Sequence, residues 1–147
     1  MIFAIAFTLN TILMVATILL HYETLFYLDR ILKRLSHIKP RIKVLIGVAV
    51  IFVTHIIEIW LFGLGYFLSL YIDGMGEIIG QTGNLFLDCV YLSFITYTTV
   101  GFGDIVAQGA IRYLTGVEAL TGLILITWSA SFLFMEMQRY WSDEKRK

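Results

Sequence analysis

The sequence predicts an all-α membrane protein with three transmembrane helices and one shorter helix between the second and the third. Of the 147 residues, 59% are hydrophobic and 15% are charged, and the mean hydropathy is +0.82. This apolar fraction lies far above that of an ordinary soluble domain. Three apolar segments are also long enough to cross a bilayer, which takes about 20 helical residues.

The first predicted membrane helix occupies residues 1–20. No ionisable side chain lies between Ile2 and Leu20. A cleaved signal peptide would carry a basic amino-terminal region and a small-residue cleavage site, and neither precedes His21. We therefore expect this helix to be retained in the protein.

Residues 21–43 are predicted to form a cytoplasmic connector that folds as an amphipathic helix at the membrane surface. Its apolar side chains recur near helical spacing, whereas most of its charged side chains fall elsewhere around the helix. We expect Pro40 to end this helix, because the residue before a proline is pushed away from helical dihedral angles. The apolar face consists of Tyr22, Leu25, Phe26, Leu28, Ile31, Leu32, Leu35 and Ile38.

The second and third predicted membrane helices occupy residues 44–72 and 112–135. The second is interrupted only by His55 and Glu58, and its extra length permits a tilt or an extension past the membrane surface. The third contains Glu118. Ionisable groups at membrane depth often serve function. For His55, structural hydrogen bonding is favoured over proton sensing, because buried polar groups need partners.

Between these two helices, residues 73–84 are predicted to form an exposed loop and residues 85–98 a short apolar helix. The loop is rich in glycine and polar residues, and Asn84 suits a helix cap. The short helix cannot span a bilayer, so we expect it to enter the membrane and stop there. Its partially negative carboxyl end would then favour a cation. Cys89 lies in this helix and is assigned a packing role.

Charge placement predicts the orientation of the chain, because cytoplasmic flanks collect lysine and arginine. Residues 21–43 contain six basic and two acidic side chains, and the tail at residues 136–147 contains four basic side chains. Residues 73–110 contain four acidic side chains and no basic one. We therefore expect the amino terminus and residues 73–110 outside, and the carboxyl terminus in the cytoplasm.

The most informative motif is Thr-Thr-Val-Gly-Phe-Gly-Asp at residues 98–104, which resembles the selectivity filter of potassium channels. Glycine enters left-handed backbone regions without a Cβ penalty, so alternating glycines let successive carbonyls point the same way. The resemblance implies that backbone oxygens and a threonine hydroxyl bind K⁺, the permeant ion. The ion-binding residues are then Thr99, Val100, Gly101, Phe102 and Gly103, supported by Thr98, Asp104 and Tyr91.

The order of elements over residues 44–135 resembles the two-helix pore module of potassium channels, which would cover roughly two thirds of the chain. In that module residues 44–72 are the outer helix, 85–98 the pore helix, 99–103 the filter and 112–135 the inner helix. The chain is similar to small bacterial ion-channel proteins of this superfamily, with an additional amino-terminal helix. The resemblance implies a homotetramer, because four filter strands close one pore by rotational symmetry.

The inner helix supplies candidates for a gate. By the resemblance, carried by Arg112, Glu118 and Gly122, the glycine takes the place of a gating hinge. Close packing between helices explains a glycine equally well. Steps of three and four residues from Gly122 predict a cavity wall that ends in a hydrophobic constriction at Phe134, or else a stripe packed on neighbouring helices. The gate and hinge candidates are Gly122, Ile126, Ala130 and Phe134.

The resemblance gives the connector at residues 21–43 a second interpretation. It could transmit motion to the gate, or it could anchor the topology of the chain. Anchoring is favoured, because basic charge beside a membrane already has an orienting role.

Two positions depart from the better-known filters. Ile95 stands where some relatives carry a glutamate that binds the filter aspartate, so we expect Tyr91 to hydrogen-bond Asp104 instead. Phe102 lacks the hydroxyl that would tie the filter to the pore helix. Fewer such bonds predict a filter prone to collapse under sustained opening.

The sequence therefore predicts a potassium-selective channel that conducts K⁺ passively. A weakly selective monovalent cation channel and a non-conducting accessory membrane subunit stay open as alternatives, and a transporter ranks below both. The expected partners are K⁺, the lipid bilayer and other copies of the chain, in a bacterial inner (plasma) membrane. We expect no enzymatic activity, cofactor or nucleic-acid partner, because the sequence has no Walker loop, metal-ligand cluster or activated nucleophile.

Overall fold

The computed structural model describes residues 1–35, 37–80 and 82–144, with side chains to residue 139. The part of the chain so described contains four helices and one two-stranded ribbon. Three of the helices are long and apolar enough to span a membrane, which confirms the all-α membrane class. The elements are α1 (Ile2–Arg34), α2 (Pro40–Ser69), β1 (Glu77–Ile79), α3 (Leu85–Tyr97), β2 (Val106–Gln108) and α4 (Arg112–Glu144).

Helix α1 is continuous from Ile2 to Arg34, so the predicted boundary at residue 20 and the separate surface helix after it are wrong. The sequence has no glycine or proline between residues 2 and 38, and therefore nothing that breaks a helix there. Leu25, Leu28 and Leu32 of the predicted amphipathic face are buried against α2 and α4. Part of this face therefore packs on protein, whereas Tyr22, Phe26 and Ile31 are exposed.

Pro40 begins α2, and the prediction that it ends the preceding helix is wrong. Proline suits the first helical position, because its missing N–H would have no partner there and its φ is already helical. Helix α2 consequently starts before the predicted residue 44, and it ends at Ser69 where the sequence predicts residue 72.

The predicted exposed loop at residues 73–84 is partly ordered and partly buried. Strand β1 pairs antiparallel with β2, with Ile78 opposite Ala107. Met75 and Ile78 are buried. Gly76 has a φ of 118°, and a Cβ built on it would lie 1.9 Å from the carbonyl oxygen of Gln108. Only glycine allows this close approach of the two backbones, and residue-type signals for a loop do not reveal it.

Helix α3 packs against α2 and α4 and lies in the main apolar core. Asn84 caps its start, since its side-chain oxygen accepts a hydrogen bond from the Leu87 N–H at 3.2 Å. Gly63 of α2 lets the two backbones approach, because a Cβ there would lie 3.0 Å from the Cα of Val90. The buried core members include Ile59, Phe62, Tyr66, Cys89, Leu92, Ile95, Tyr97, Ile111 and Leu114.

Helix α4 continues to Glu144, beyond the end predicted at residue 135. Residues 136–144 contain no glycine or proline, so the helix does not stop at the predicted start of the tail. Near this end the Arg139 side chain donates to Glu136 Oε1 at 2.9 Å. The basic residues predicted in the tail at Lys145, Arg146 and Lys147 lie outside the described residues.

Candidate ion pathway and the polar cluster behind it

The backbone after α3 alternates between left-handed and ordinary conformations. Thr99, Gly101 and Gly103 have φ angles of 59°, 52° and 80°, and among the described non-glycine residues only Thr99 has a positive φ. Val100 and Phe102 therefore have negative φ angles between them. Such alternation turns the carbonyls of successive residues toward one side of the strand. The result is a row of oxygens that can line an ion path.

This alternating segment is tied to the carboxyl end of α3 by backbone hydrogen bonds. The Thr99 N–H donates to the Thr96 carbonyl and the Gly101 N–H to the Ile95 carbonyl, each at 2.9 Å. The Thr98 hydroxyl donates to the Phe94 carbonyl at 2.6 Å. The start of the row therefore lies beside the partially negative end of the helix, which favours a cation.

One face of the segment has no cover within the chain. The side chains of Val100 and Phe102 are 52% and 71% exposed. A Cβ built on Gly101 or Gly103 would meet nothing within 4 Å. These two glycines are therefore required by their positive φ and not by lack of room. Within the described residues, the exposed apolar side chains of Val100 and Phe102 thus lie beside an open row of carbonyls.

Tyr91 and Asp104 form the contact that the sequence predicts. The Tyr91 hydroxyl donates to Asp104 Oδ2 at 2.8 Å. This hydrogen bond to a carboxylate raises the pKa of Tyr91, because ionisation would remove the donated proton beside a negative charge. Ile95 is buried in the core and offers Asp104 no polar partner. That this contact supports a filter stays a prediction.

Gly122 of α4 touches the end of α3. A Cβ built on it would lie 2.3 Å from the carbonyl oxygen of Tyr97. This contact supports the close-packing interpretation of Gly122, and the hinge interpretation stays a prediction. Ile126, Ala130 and Phe134 are exposed along α4 within the single chain, so neither their role in a cavity wall nor their packing on other chains is tested.

A buried polar cluster lies behind the same end of α3. His21 of α1 and His55 of α2 each place Nδ1 2.9 Å from a different oxygen of the Glu58 carboxylate. The Tyr97 hydroxyl donates to Glu58 Oε2. Ser129 Oγ of α4 lies 3.1 Å from His55 Nε2 and 3.2 Å from His21 Nε2. Four helices thus meet at one closed hydrogen-bonded ring.

A second buried carboxylate, Glu118, joins α4 to α2 and α3. It accepts a hydrogen bond from the Tyr66 hydroxyl at 2.6 Å and another from the Ser93 hydroxyl, which also lies 2.7 Å from the Ile59 carbonyl. Buried polar groups at membrane depth need partners, and Glu58 and Glu118 both accept hydrogen bonds from neighbouring helices. Their buried oxygens are all paired within the described residues.

Sequence reasoning missed the partners from other helices. His21 falls in the predicted surface connector, and no sequence spacing links it to His55 and Glu58, beside which the structure places it. That the chain binds no metal stays a prediction. A usable signal existed in α1. Asn10, Thr17 and His21 lie at steps of seven and four residues, in line with Leu25, and all four are buried.

Comparison with known proteins agrees with this arrangement. The profile of a family described as ion channel matches residues 44–139, which is more than half of the chain. Two-pore potassium channel 4 of Arabidopsis thaliana is 38% identical over 53 residues, which make up 35% of this chain and 19% of that protein. No solved structure matches significantly. The chain is therefore an integral membrane protein that belongs to the ion channel family, as its resemblance to the potassium channel superfamily predicts.

Proposed function

We propose that the chain forms a potassium-selective channel in which the carbonyls of residues 99–102 and the Thr99 hydroxyl replace the hydration shell of K⁺. The observation that carries this proposal is the alternation of φ at Thr99, Gly101 and Gly103. A single strand with this alternation presents a straight row of oxygens, which is the element from which such filters are built. Conduction is passive, down the gradient of the ion.

The uncovered face of the strand supports a tetramer. One row of oxygens surrounds an ion on one side only, and four rows related by rotational symmetry enclose it. The exposed side chains of Val100 and Phe102 lie where neighbouring chains would cover them. The exposed positions Ile126, Ala130 and Phe134 of α4 would then line the inner cavity, with Phe134 as the hydrophobic constriction.

Charge and helix orientation favour a cation in this pathway. Residues 73–110 carry four acidic and no basic side chains, so the mouth next to the filter would concentrate cations. The carboxyl end of α3 adds a partial negative charge beside Thr99. By the charge rule this mouth faces outward and the end of α4 faces the cytoplasm.

Two alternatives make different predictions. A weakly selective cation channel would use the same strand but hold its oxygens less rigidly around the ion. The missing hydroxyl at Phe102 favours such a less rigid filter. A non-conducting accessory subunit would need no working filter. The Thr99-Val100-Gly101 sequence with its alternating backbone argues against that alternative. The relative's name, a two-pore potassium channel, supports potassium as the ion.

The experiment is ion flux through the purified full-length protein in liposomes. A K⁺ gradient drives the flux, a parallel set replaces K⁺ with Na⁺, and Ba²⁺ serves as the blocker. We expect Ba²⁺-sensitive flux that prefers K⁺. Equal Na⁺ flux would select the weakly selective alternative.

A silent wild type needs one further variant, because a closed gate and an accessory subunit both give no flux. Phe134→Ala widens the proposed constriction and should produce K⁺ flux if the gate is closed. Leu120→Ala is the matched control, because Leu120 is an exposed apolar residue on the same helix. Silence of Phe134→Ala together with a silent wild type would contradict the channel proposal.

A further inference from the structure

We propose that His21, His55 and Glu58 bind a divalent transition-metal ion of the Zn²⁺ class, which fastens α1 to α2 behind the end of α3. The three side chains each offer one ligand atom, and these atoms all lie within 4.8 Å of one another. The proposal concerns binding alone, so it does not depend on whether the chain conducts K⁺.

The ligand atoms are already arranged around one point. Both imidazole Nδ1 atoms lie 2.9 Å from oxygens of the same Glu58 carboxylate. A tetrahedral ion with bonds of about 2.1 Å places its ligand atoms about 3.4 Å from one another. Small side-chain rotations therefore open the space for an ion, and no helix has to move.

The donor set suits a transition metal better than an alkali or alkaline-earth ion. Two imidazoles with one carboxylate are ligands typical of Zn²⁺, and imidazole also binds Cu²⁺ and Ni²⁺. The Tyr97 hydroxyl lies 2.9 Å from His55 Nδ1 and can fill a fourth position. His21 and Glu58 are fully buried, so the three ligands are held by packed helices and not by loops.

Ser129 supplies the outer contacts that a metal-binding histidine needs. When Nδ1 binds a metal, Nε2 carries the proton and donates it to an acceptor that fixes the ring. The Nε2 atoms of His55 and His21 lie 3.1 Å and 3.2 Å from Ser129 Oγ. That oxygen has two lone pairs, so it can accept from both rings at once.

When both histidines donate to Glu58 and no cation is bound, the proton donors of the ring do not match its acceptors. If both Nδ1 atoms donate to the Glu58 carboxylate, both Nε2 atoms are acceptors, and both face the Ser129 hydroxyl. That hydroxyl has only one proton, so one Nε2 receives no donor from it. A metal ion at Nδ1 removes this mismatch. An extra proton would do the same, and the experiment has to separate the two.

The test measures metal content of the full-length protein in lipid nanodiscs. The protein is stripped with a chelator, loaded with Zn²⁺, freed of unbound ion and analysed for zinc per chain by mass spectrometry. Loading with Co²⁺ reports the geometry, because tetrahedral Co²⁺ absorbs strongly in the visible range. We expect one ion per chain and a tetrahedral spectrum.

Variants assign the ion to the cluster. His21→Gln and Glu58→Gln should lose stoichiometric binding, and Ser129→Ala should weaken it about 10–100-fold, as expected for an outer contact. His37→Ala is the matched control, because His37 is the remaining histidine of the chain and is exposed. It should bind the ion as wild type does.

Three results would overturn the proposal. They are wild-type zinc content that stays far below one ion per chain, a Co²⁺ spectrum without tetrahedral bands, and binding that survives His21→Gln. If His21→Gln fails to fold, the proposal is tested by the Co²⁺ spectrum of the wild type and by the metal affinity of Ser129→Ala. A wild-type affinity in Ser129→Ala would then contradict it. In the absence of binding, a proton and not a metal closes the ring.

Discussion

The segment at residues 99–103 and the cluster around Glu58 both adjoin the carboxyl end of α3, and they are built by different means. The segment presents backbone oxygens, and its side chains Val100 and Phe102 are exposed. The cluster presents side chains, and its carboxylate is fully buried with partners from its own helix and from two others. The backbone segment is thus open within one chain, and in the proposed tetramer other chains would cover it, whereas the hydrogen bonds of the cluster form within one chain.

The largest effect is expected at Gly101. The contrast between the open segment and the buried cluster predicts that a change there abolishes ion flux without unfolding the protein. Gly101→Ala places a Cβ at a φ of 52°, in open space. The strain is about 1–2 kcal/mol in each chain, and it falls on the row of oxygens. We expect K⁺ flux to fall to background while the thermal unfolding temperature changes little.

The control for Gly101→Ala is Gly116→Ala. Gly116 also has open space around it but lies in α4 without a positive φ. Alanine there should stabilise the helix by about 0.5–1 kcal/mol and keep the flux. Equal loss of flux in both variants would show that alanine acts through something other than the oxygen row.

In the cluster around Glu58, Tyr97→Phe should lower stability. The substitution removes the hydroxyl that donates to Glu58 and leaves a buried carboxylate with one donor fewer. We expect the free energy of unfolding to fall by about 1–3 kcal/mol. Denaturant unfolding in detergent measures this, with Tyr113→Phe as the control because Tyr113 is exposed. If the two variants are equally stable, the ring does not stabilise the fold.

Gly122→Ala probes the contact between the two regions. The added methyl group would overlap the Tyr97 carbonyl, and overpacking costs about 1–3 kcal/mol. The gain in helix propensity, about 0.5–1 kcal/mol, offsets part of this cost. We expect a small net loss of stability, measured by thermal unfolding beside Gly116→Ala. Unchanged stability with reduced flux would instead favour the hinge interpretation.

The smallest effect is expected at the outer end of the segment. Tyr91→Phe removes the hydrogen bond to Asp104. Phe102→Tyr restores the hydroxyl that, by the resemblance, ties the filter to the pore helix. In planar bilayer recordings under sustained opening, the first should hasten the decay of current and the second should slow it. A decay that neither substitution alters would contradict the proposal that few bonds hold the filter.

The elements that depend on residues adjacent in sequence, such as a capped helix start, were predicted correctly. The short helix starts at Leu85 because Asn84 caps it. The Tyr91–Asp104 contact joins residues 13 apart, and it followed from the resemblance to potassium-channel filters. The long-range cluster was not predictable in this way. His21 lies 37 residues from Glu58 in sequence. Its contact with Glu58 requires that α1 continue past residue 20 and that α2 then run back beside α1.

The ribbon was missed for a different reason. Gly76 and Gly80 read as turn residues by composition, yet each allows a backbone carbonyl to approach. The sequence alone does not distinguish a glycine in a turn from a glycine that lets another backbone segment pack against it. The pairing partner, residues 106–108, lies beyond the short helix and the glycine-rich segment, where no local pattern indicates it.

The ribbon has a consequence for chain entropy. Because Ile79 pairs with Val106, residues 80–105 form a loop whose two ends are fastened together. The entropic cost of closing such a loop grows only slowly with its length. Once the strands have paired, α3 and the row of oxygens are confined whether or not another chain is present. In the proposed tetramer, a single chain would therefore have its part of the pore ordered before it assembles.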